Sequence, residues 1–429
     1  MREVVVVSGA RTAIGAFGSA LKDVSAIDLG ALVMKETIKK VGLRPAVSDL
    51  MKEAAPDKLK DQGLIDLEKK HQDWDSSAKE VVIDDVIMGN VVQAAQGQNP
   101  TRQALIRAGI PKETPGCTIN KVCSSGLKSI AGGALEIMSG EADVVLAGGM
   151  ESMSNIPFAS KEARWGYRMA LTGVGELLDL MVYDGLYEIF YGYHMGVTAE
   201  NIVSLYGITR QEQDEVSLLS HTRAMKAIKD GLFKQETVNV VIKGRKGDTI
   251  VDTDERPMET SMDKLAKMKP AFKKDGTVTA GNASGINDGA AAVLLMSAEK
   301  ANELGLEPFV RIRGFATGAL DPAYMGLGPI PAVRKLLKKT GIKSINDIEC
   351  LELNEAFAAQ AIACMRELGV EKERVNELGS GISLGHPIGC TGARQLVSAM
   401  HHMKRNNYKK GLITMCIGGG MGFAMLIER

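Results

Sequence analysis

The sequence predicts a layered α/β protein assembled from two related halves. Three observations carry that expectation: short apolar runs alternate with helical periodicity, two series of motifs match in order, and each series closes on a glycine-rich strand end. Five runs bounded by Gly or Asp read as buried strands, namely residues 4–8, 85–88, 143–146, 291–296 and 412–416. Between them lie helical signals. Thr209 with Glu212 forms a capping box, and Pro331 opens a helix over 332–339. The halves show in the likeness of residues 85–90 to 349–354, each ending in Asn, Asn90 and Asn354. Cys123-Ser-Ser-Gly follows Asn90 by 33 positions and His386-Pro-Ile-Gly follows Asn354 by 32, before Gly148-Gly149-Met150 and Gly419-Gly420-Met421. A pseudo-twofold relation would bring these loops together beyond the strand ends, where ligands of α/β sheets gather.

Two segments depart from the pattern. Residues 44–80 are dense in Lys, Asp and Glu around Trp74 and read as a charged helical surface insertion. Residues 155–284, rich in Met, Tyr and Gly with a β-like run at 238–242, read as an excursion that needs packing of its own. A chain of 429 residues is expected to divide into two or three domains. With 52 Lys+Arg against 52 Asp+Glu there is no basic surplus for a nucleic acid partner. The six cysteines form no CxxC pair, which argues against a zinc ribbon and a secreted disulfide scaffold and for a reducing compartment. No apolar run approaches the roughly 18 to 20 residues of a membrane span. The four valines after Arg2-Glu3 are too short for a signal core, so a cytoplasmic location is expected.

Three motifs carry chemistry. Cys123 precedes Leu127, Ile130, Ala131, Ala134, Leu135 and Met138, which trace one face of a helix. Its sulfur is therefore expected at a helix N-terminus, where free N–H groups and the dipole favour a thiolate; the alternative is a small buried core cysteine. In residues 385–392, glycines and Pro387 fix a turn that presents His386 as a base, or else as a structural imidazole. His71 and the His401-His402 pair sit among charges and read as solvated surface. The apolar run at 412–417 carries Cys416 into a glycine loop at 418–422 that fits neither a dinucleotide fingerprint nor a P-loop.

Together with Asn354-Glu-Ala-Phe357, these motifs resemble the thiolase family from residues 4–12 to the C-terminus, interrupted mainly by the 44–80 insertion. Tyr193-His-Met-Gly196 and residues 281–285 are similar to those of short-chain, acetoacetyl-CoA thiolases. The resemblance implies a duplicated α/β/α/β/α layered fold: an N-terminal core domain of residues 1–154 with 285–305, a CoA-binding loop domain of 155–284, and a C-terminal core domain of 306–429. It implies an acyltransferase that condenses two acetyl-CoA, or cleaves a short 3-oxoacyl-CoA, through an acyl-Cys123 intermediate. His386 would activate Cys123, and Cys416 would exchange protons with the α-carbon or the CoA sulfur. One oxyanion hole would be His386 with a water on Asn354, and the other the N–H groups of Cys123 and Gly418. Ser284, His194, Met195 and Arg256 are implied in CoA and acyl binding, although Met195 reads equally as core packing. Coenzyme A is substrate and product, no metal or other cofactor is implied, and residues 93–102 resemble the region through which thiolases form tight dimers, so that a homo-oligomer, dimer or tetramer, is expected. Fatty acid metabolism is the implied setting. Two rivals remain: a decarboxylating ketosynthase of the same fold, which would want a second His where Asn354 and Cys416 stand, and a catalytically silent CoA-binding or assembly subunit.

Overall fold

The five apolar runs bounded by Gly or Asp all contribute to one eleven-stranded sheet in a computed structural model that describes residues 1–169 and 175–429. Most of the β-like run at 238–242 pairs apart from it, Val240–Ile242 with Thr249–Val251. Nine strands form its main path: β1 (Val4–Thr12), β2 (Asp85–Gly89), β3 (Gly116–Ile119), β4 (Val144–Ser152), β5 (Asn287–Ser297), β6 (Val310–Ala319), β7 (Cys350–Leu353), β8 (Lys410–Ile417) and β9 (Met421–Glu428). They lie in the order β7-β8-β9-β6-β1-β5-β4-β2-β3. Outward from the centre, β1 pairs antiparallel with β5, β5 antiparallel with β4, and β4 parallel with β2. The other half repeats this: β6 with β9, β9 with β8, and β8 parallel with β7. Even the irregularities correspond, since β1 shifts register between Val6 and Ser8 and β6 between Ile312 and Gly314. The halves meet where β1 pairs with β6, at Val5–Arg311 and Val6–Val310. The duplication read from sequence is thus present in strand order, direction and bulges.

Alternation along β1 divides its side chains between two cores. Val5 and Val7 face an outer core with α1 (Ala26–Lys39), whereas Val4 and Val6 face a central core. The central core is filled by α2 (Ser125–Ser139) and by a long helix near the C-terminus, Thr391–Asn406, which begin just after Cys123 and His386. The loop region contributes α3 (Met195–Tyr206) and α4 (Arg210–Lys229). Beyond it, α5 (Pro329–Thr340) covers the outer face of β6 and β9, α6 is Ala358–Leu368, and the long helix is α7. Outer helices, one half of the sheet, central helices, the other half of the sheet and outer helices give the five layers. The central pair crosses where no side chain intervenes: a Cβ on Gly126 would stand 2.9 Å from Gly389 O, and one on Gly392 would stand 2.6 Å from Leu127 Cβ. Close approach of the two helix starts is what brings their preceding residues, Cys123 and His386, to one place.

The capping box of α4 is formed, with Glu212 N donating to Thr209 Oγ1 at 3.2 Å and Thr209 N to Glu212 Oε2 at 2.8 Å. Two expectations need correction. His401 and His402 are buried, because α7 is covered on every side from Thr391 to Met403 and its polar face has no solvent to reach. His402 Nε2 instead meets Glu377 Oε2 at 3.0 Å, and the His401 ring lies against Phe309. The charged segment 44–80 is also less of an excursion than its composition suggests. Leu43–Ala46 pairs in parallel with Lys79–Val82, and Trp74 Nε1 donates to Gly109 O at 2.8 Å, so both ends are tied to the body and only short helices, Asp49–Glu53 and Asp66–His71, lie between.

Candidate active site

Cys123 sits two residues ahead of α2 on a turn whose backbone is strained. The preceding Val122 has φ of 46°, a left-handed conformation that a β-branched residue adopts at a cost of roughly 1–3 kcal/mol. The surroundings hold it there: Val122 N donates to Asn120 Oδ1 at 2.9 Å, and Ser125 Oγ donates to Val122 O at 2.7 Å while accepting from Lys121 N at 2.8 Å. Cys123 is left 9% exposed at the floor of a cavity. Burial pushes its thiol up to about 11, although the amide N–H groups of Gly418 and of Cys123 itself pull the other way. The expected preformed thiolate is therefore corrected: desolvation outweighs the amides, and the resting group is a thiol.

His386 is built into the mirror position. Its N–H donates to Asn287 Oδ1 at 3.0 Å, and Gly385, at φ of 104°, has no room for a side chain because a Cβ would lie 2.5 Å from Asn287 Cγ. The ring Nδ1 is 2.6 Å from Thr391 Oγ1, which itself donates to Pro387 O at 2.9 Å. Since that hydroxyl has one proton and gives it to the carbonyl, it accepts from the ring. Nδ1 therefore carries the imidazole proton and Nε2 keeps its lone pair. Burial drives His386 down to about 3, with the nearby Arg394 charge adding to the effect. Thiol and neutral imidazole thus face the same cavity uncharged, a state from which one proton transfer makes both nucleophile and imidazolium.

That cavity, of about 400 Å³, is lined by Cys123, His386, Gly418, His194, Met195, Ser284 and Arg256. Asn354 and Cys416 are fully buried behind its wall. Asn354 Nδ2 reaches His386 Nε2 at 3.5 Å, while its Oδ1 has no partner among the described residues. Cys416 lies in the cluster of Met195, Met325, Ala356 and Phe357; burial pushes its thiol well up, and a charge on the nearby Cys123 sulfur raises it further. Gly420 fits tightly, as a Cβ there would meet Leu320 O at 2.3 Å. His194 caps α3, its Nδ1 accepting from Gly196 N at 3.0 Å, and stacks on Phe272 at 4.7 Å between centroids. Arg256 turns inward, with Nε donating to Ile382 O at 2.7 Å and Nη2 to Ala283 O at 3.0 Å. All the residues singled out from the motifs therefore collect in or against one cavity. Thr391, Asn287 and the strained Val122 were not anticipated; of these only Thr391 had a local signal, lying five residues past His386 in the same turn.

These features define a class: duplicated five-layered α/β proteins that place a cysteine from one half against a histidine from the other. The chain belongs to the thiolase family. Residues 4–53 and 73–299 match the model "Thiolase, N-terminal domain", and residues 306–429 match "Thiolase, C-terminal domain". The segment the family model skips, 54–72, is shorter than the 44–80 insertion expected, consistent with the tied ends described above. The chain is 50% identical to an acetyl-CoA acetyltransferase of Syntrophomonas wolfei, over all of this chain and 99% of that protein. It is 48% identical to an acetyl-CoA acetyltransferase of Chromobacterium violaceum over the full length of both. A crystal structure of the Bacillus anthracis acetyl-CoA acetyltransferase superposes with a TM-score of 0.88 at 43% identity, covering 100% of this chain and 99% of that one.

Proposed function

We propose that the protein is an acetyl-CoA acetyltransferase, joining two acetyl-CoA into acetoacetyl-CoA and CoA and cleaving acetoacetyl-CoA in reverse. The observation that carries this reading is the single cavity shared by an uncharged Cys123 thiol, a His386 whose Nε2 carries no proton and can take that of the thiol, and a Gly418 amide directed at the sulfur.

Cys123 gives its proton to His386 Nε2, and the sulfur attacks the thioester carbon of acetyl-CoA; the CoA thiolate leaves, taking the proton of Cys416, so that acetyl-Cys123, imidazolium and a Cys416 thiolate remain. The Cys416 thiolate then removes a proton from the α-carbon of a second acetyl-CoA, and that carbon attacks acetyl-Cys123, releasing acetoacetyl-CoA while the departing Cys123 thiolate takes back its proton from His386. Oxyanions would be held by His386 with a water on Asn354, and by the amides of Cys123 and Gly418, each donor worth about 3–4 kcal/mol. The unpartnered Oδ1 of Asn354 supports such a water. Coenzyme A is substrate and product, and the steps above call on no metal or other cofactor.

Residues 155–284 act as the CoA-binding loop domain between core domains of residues 1–154 with 285–305 and of 306–429. Ser284, His194 and Met195 border the pantetheine and acyl groups. Arg256, whose guanidinium meets backbone carbonyls and no carboxylate among the described residues, would offer its charge to a CoA phosphate. A homo-oligomer, dimer or tetramer, is supported by exposed Phe158, Trp165 and Phe190 in the loop region. Six free cysteines fit the reducing cytoplasm, and fatty acid metabolism is the setting the reaction suits. The test is loss of acetoacetyl-CoA enolate absorbance on adding CoA: the wild type is expected to consume it and Cys123→Ser to be inert, whereas a wild type without activity on this substrate overturns the reading.

A further inference from the structure

Glu151, at the end of β4, is completely buried and accepts four N–H groups from two different loops. Its Oε1 takes Asn90 Nδ2 at 2.9 Å and Val92 N at 3.3 Å, while Oε2 takes Val91 N and Gly389 N, both at 2.9 Å. The last of these belongs to the His386 turn. The others fix the loop after β2, which connects onward to the nucleophile: Asn120 Nδ2 donates to Val91 O at 3.2 Å, and Asn120 Oδ1 receives the amide of Val122. The contact is close, since a Cβ on Gly389 would stand 2.5 Å from Glu151 Oε2, and one on the neighbouring Gly149 would stand 2.1 Å from Gly389 O. Burial pushes the Glu151 carboxyl up to about 7, against the pull of the Val91, Val92 and Gly389 amides.

We propose that Glu151 is a positioning residue that clamps the His386 turn to the Cys123 loop and so sets the geometry of proton transfer between them. The proposal rests on the acyl-transfer reading only for its kinetic readout. The two halves otherwise contribute thiol and imidazole from separate helix starts, and misplacement by about 1 Å in such a pair is worth about 100-fold in rate. Glutamine cannot replace the carboxylate. Because each oxygen accepts two N–H groups, either orientation of the amide sets its NH2 against a pair of donors, Asn90 Nδ2 with Val92 N or Val91 N with Gly389 N, freeing the 90–92 loop alone or that loop together with the histidine turn.

The experiment is a double-mutant cycle of Glu151→Gln with His386→Ala, read as thiolysis kcat and KM and as the rate of iodoacetamide labelling at Cys123. Glu151→Gln alone is expected to lower kcat about 100-fold with KM within about twofold, and to slow Cys123 labelling. On the His386→Ala background it is expected to add less than about twofold to either loss, because its partner in the mechanism is already gone. Wild-type kcat and labelling in Glu151→Gln, or losses that multiply across the cycle, overturn the proposal. If Glu151→Gln does not fold, the exposed Asn120→Ala, which cuts only the link from Val91 to Val122, is read in the same cycle with the same criterion. Labelling needs no acyl-CoA, so a wild type that labels but does not turn over acetoacetyl-CoA refutes the activity while the labelling cycle still decides the role of Glu151.

Discussion

Replacing Thr391 by valine removes one hydroxyl with little change of shape, at a side chain that is fully buried. In the native site the Thr391 oxygen stands 2.6 Å from His386 Nδ1 and donates its own proton to Pro387 O at 2.9 Å. With valine, the Nδ1–H has no acceptor, and the imidazole is free to move its proton to Nε2. That tautomer cannot take the proton of Cys123. A buried donor left unpaired costs about 1–3 kcal/mol, which as a barrier change lowers kcat/KM between about 5-fold and about 150-fold. The assay is acetoacetyl-CoA thiolysis followed by enolate absorbance, with urea unfolding alongside to record any loss of stability. Thr391→Ser keeps the hydroxyl and is expected to stay within about threefold of wild type, below the smallest loss worked out for valine. Wild-type kcat/KM in Thr391→Val, or a serine variant as slow as the valine one, would refute the tautomer argument.

Other consequences are equally open to measurement. Because burial holds the Cys123 thiol up at about 11, its labelling by iodoacetamide in the His386→Ala protein, which has no imidazole to take the proton, should rise about tenfold per pH unit between pH 7 and 10; a plateau across that range would mean a thiolate is already present. His386 is held down to about 3, and His221 and His401 to about 4, all chiefly by burial. These folded values lie below the unfolded value of about 6.5, so the unfolded chain takes up protons first; stability is intact above that pH and falls as pH drops toward the folded values. Burial raises the Glu151 and Glu352 carboxyls to about 7, which works the opposite way over the same range. The histidine contribution is therefore read as a difference: the urea midpoint of the wild type relative to that of His401→Gln is expected to fall between pH 7.5 and pH 5, and an unchanged difference would contradict this. At the apolar end of the cavity, a methyl on Gly185 would stand 3.1 Å from Ile388 Cδ1. Gly185→Ala should therefore disfavour longer 3-oxoacyl-CoAs relative to acetoacetyl-CoA by about 10-fold or more, and an unchanged ratio would place the acyl chain elsewhere.

The sequence was most legible where a residue's surroundings lie close to it in the chain. Strands buried on both faces read as apolar runs, and Cys123 and His386 stood out because glycines and a helical face follow each of them. Matching spacing disclosed the duplication, since both halves repeat the same strand–loop–helix unit. What lay hidden depends on distant parts of the chain. Asn287 lies 99 positions from His386, and Glu151 lies 238 from Gly389, so no local pattern shows that either holds the histidine turn. His401 and His402 were misread because a charged face normally means solvent, whereas α7 is central and covered on all sides. The state of Cys123 was misjudged for a related reason. A helix start is visible in sequence, but the desolvation that outweighs it comes from the assembled cavity. Charge density over 44–80 likewise masked the strand pairing at its two ends.

The most direct test of the central claim is to find where the acyl group rests. The protein is mixed with acetyl-CoA without added CoA, quenched in acid within the first turnovers, and digested for peptide mass analysis. Acetyl is expected on Cys123, absent from the Cys123→Ser protein and still present in Cys416→Ser, which retains the nucleophile and its histidine. Acetyl on Cys416, or on no cysteine of a protein that does turn over, would contradict the account.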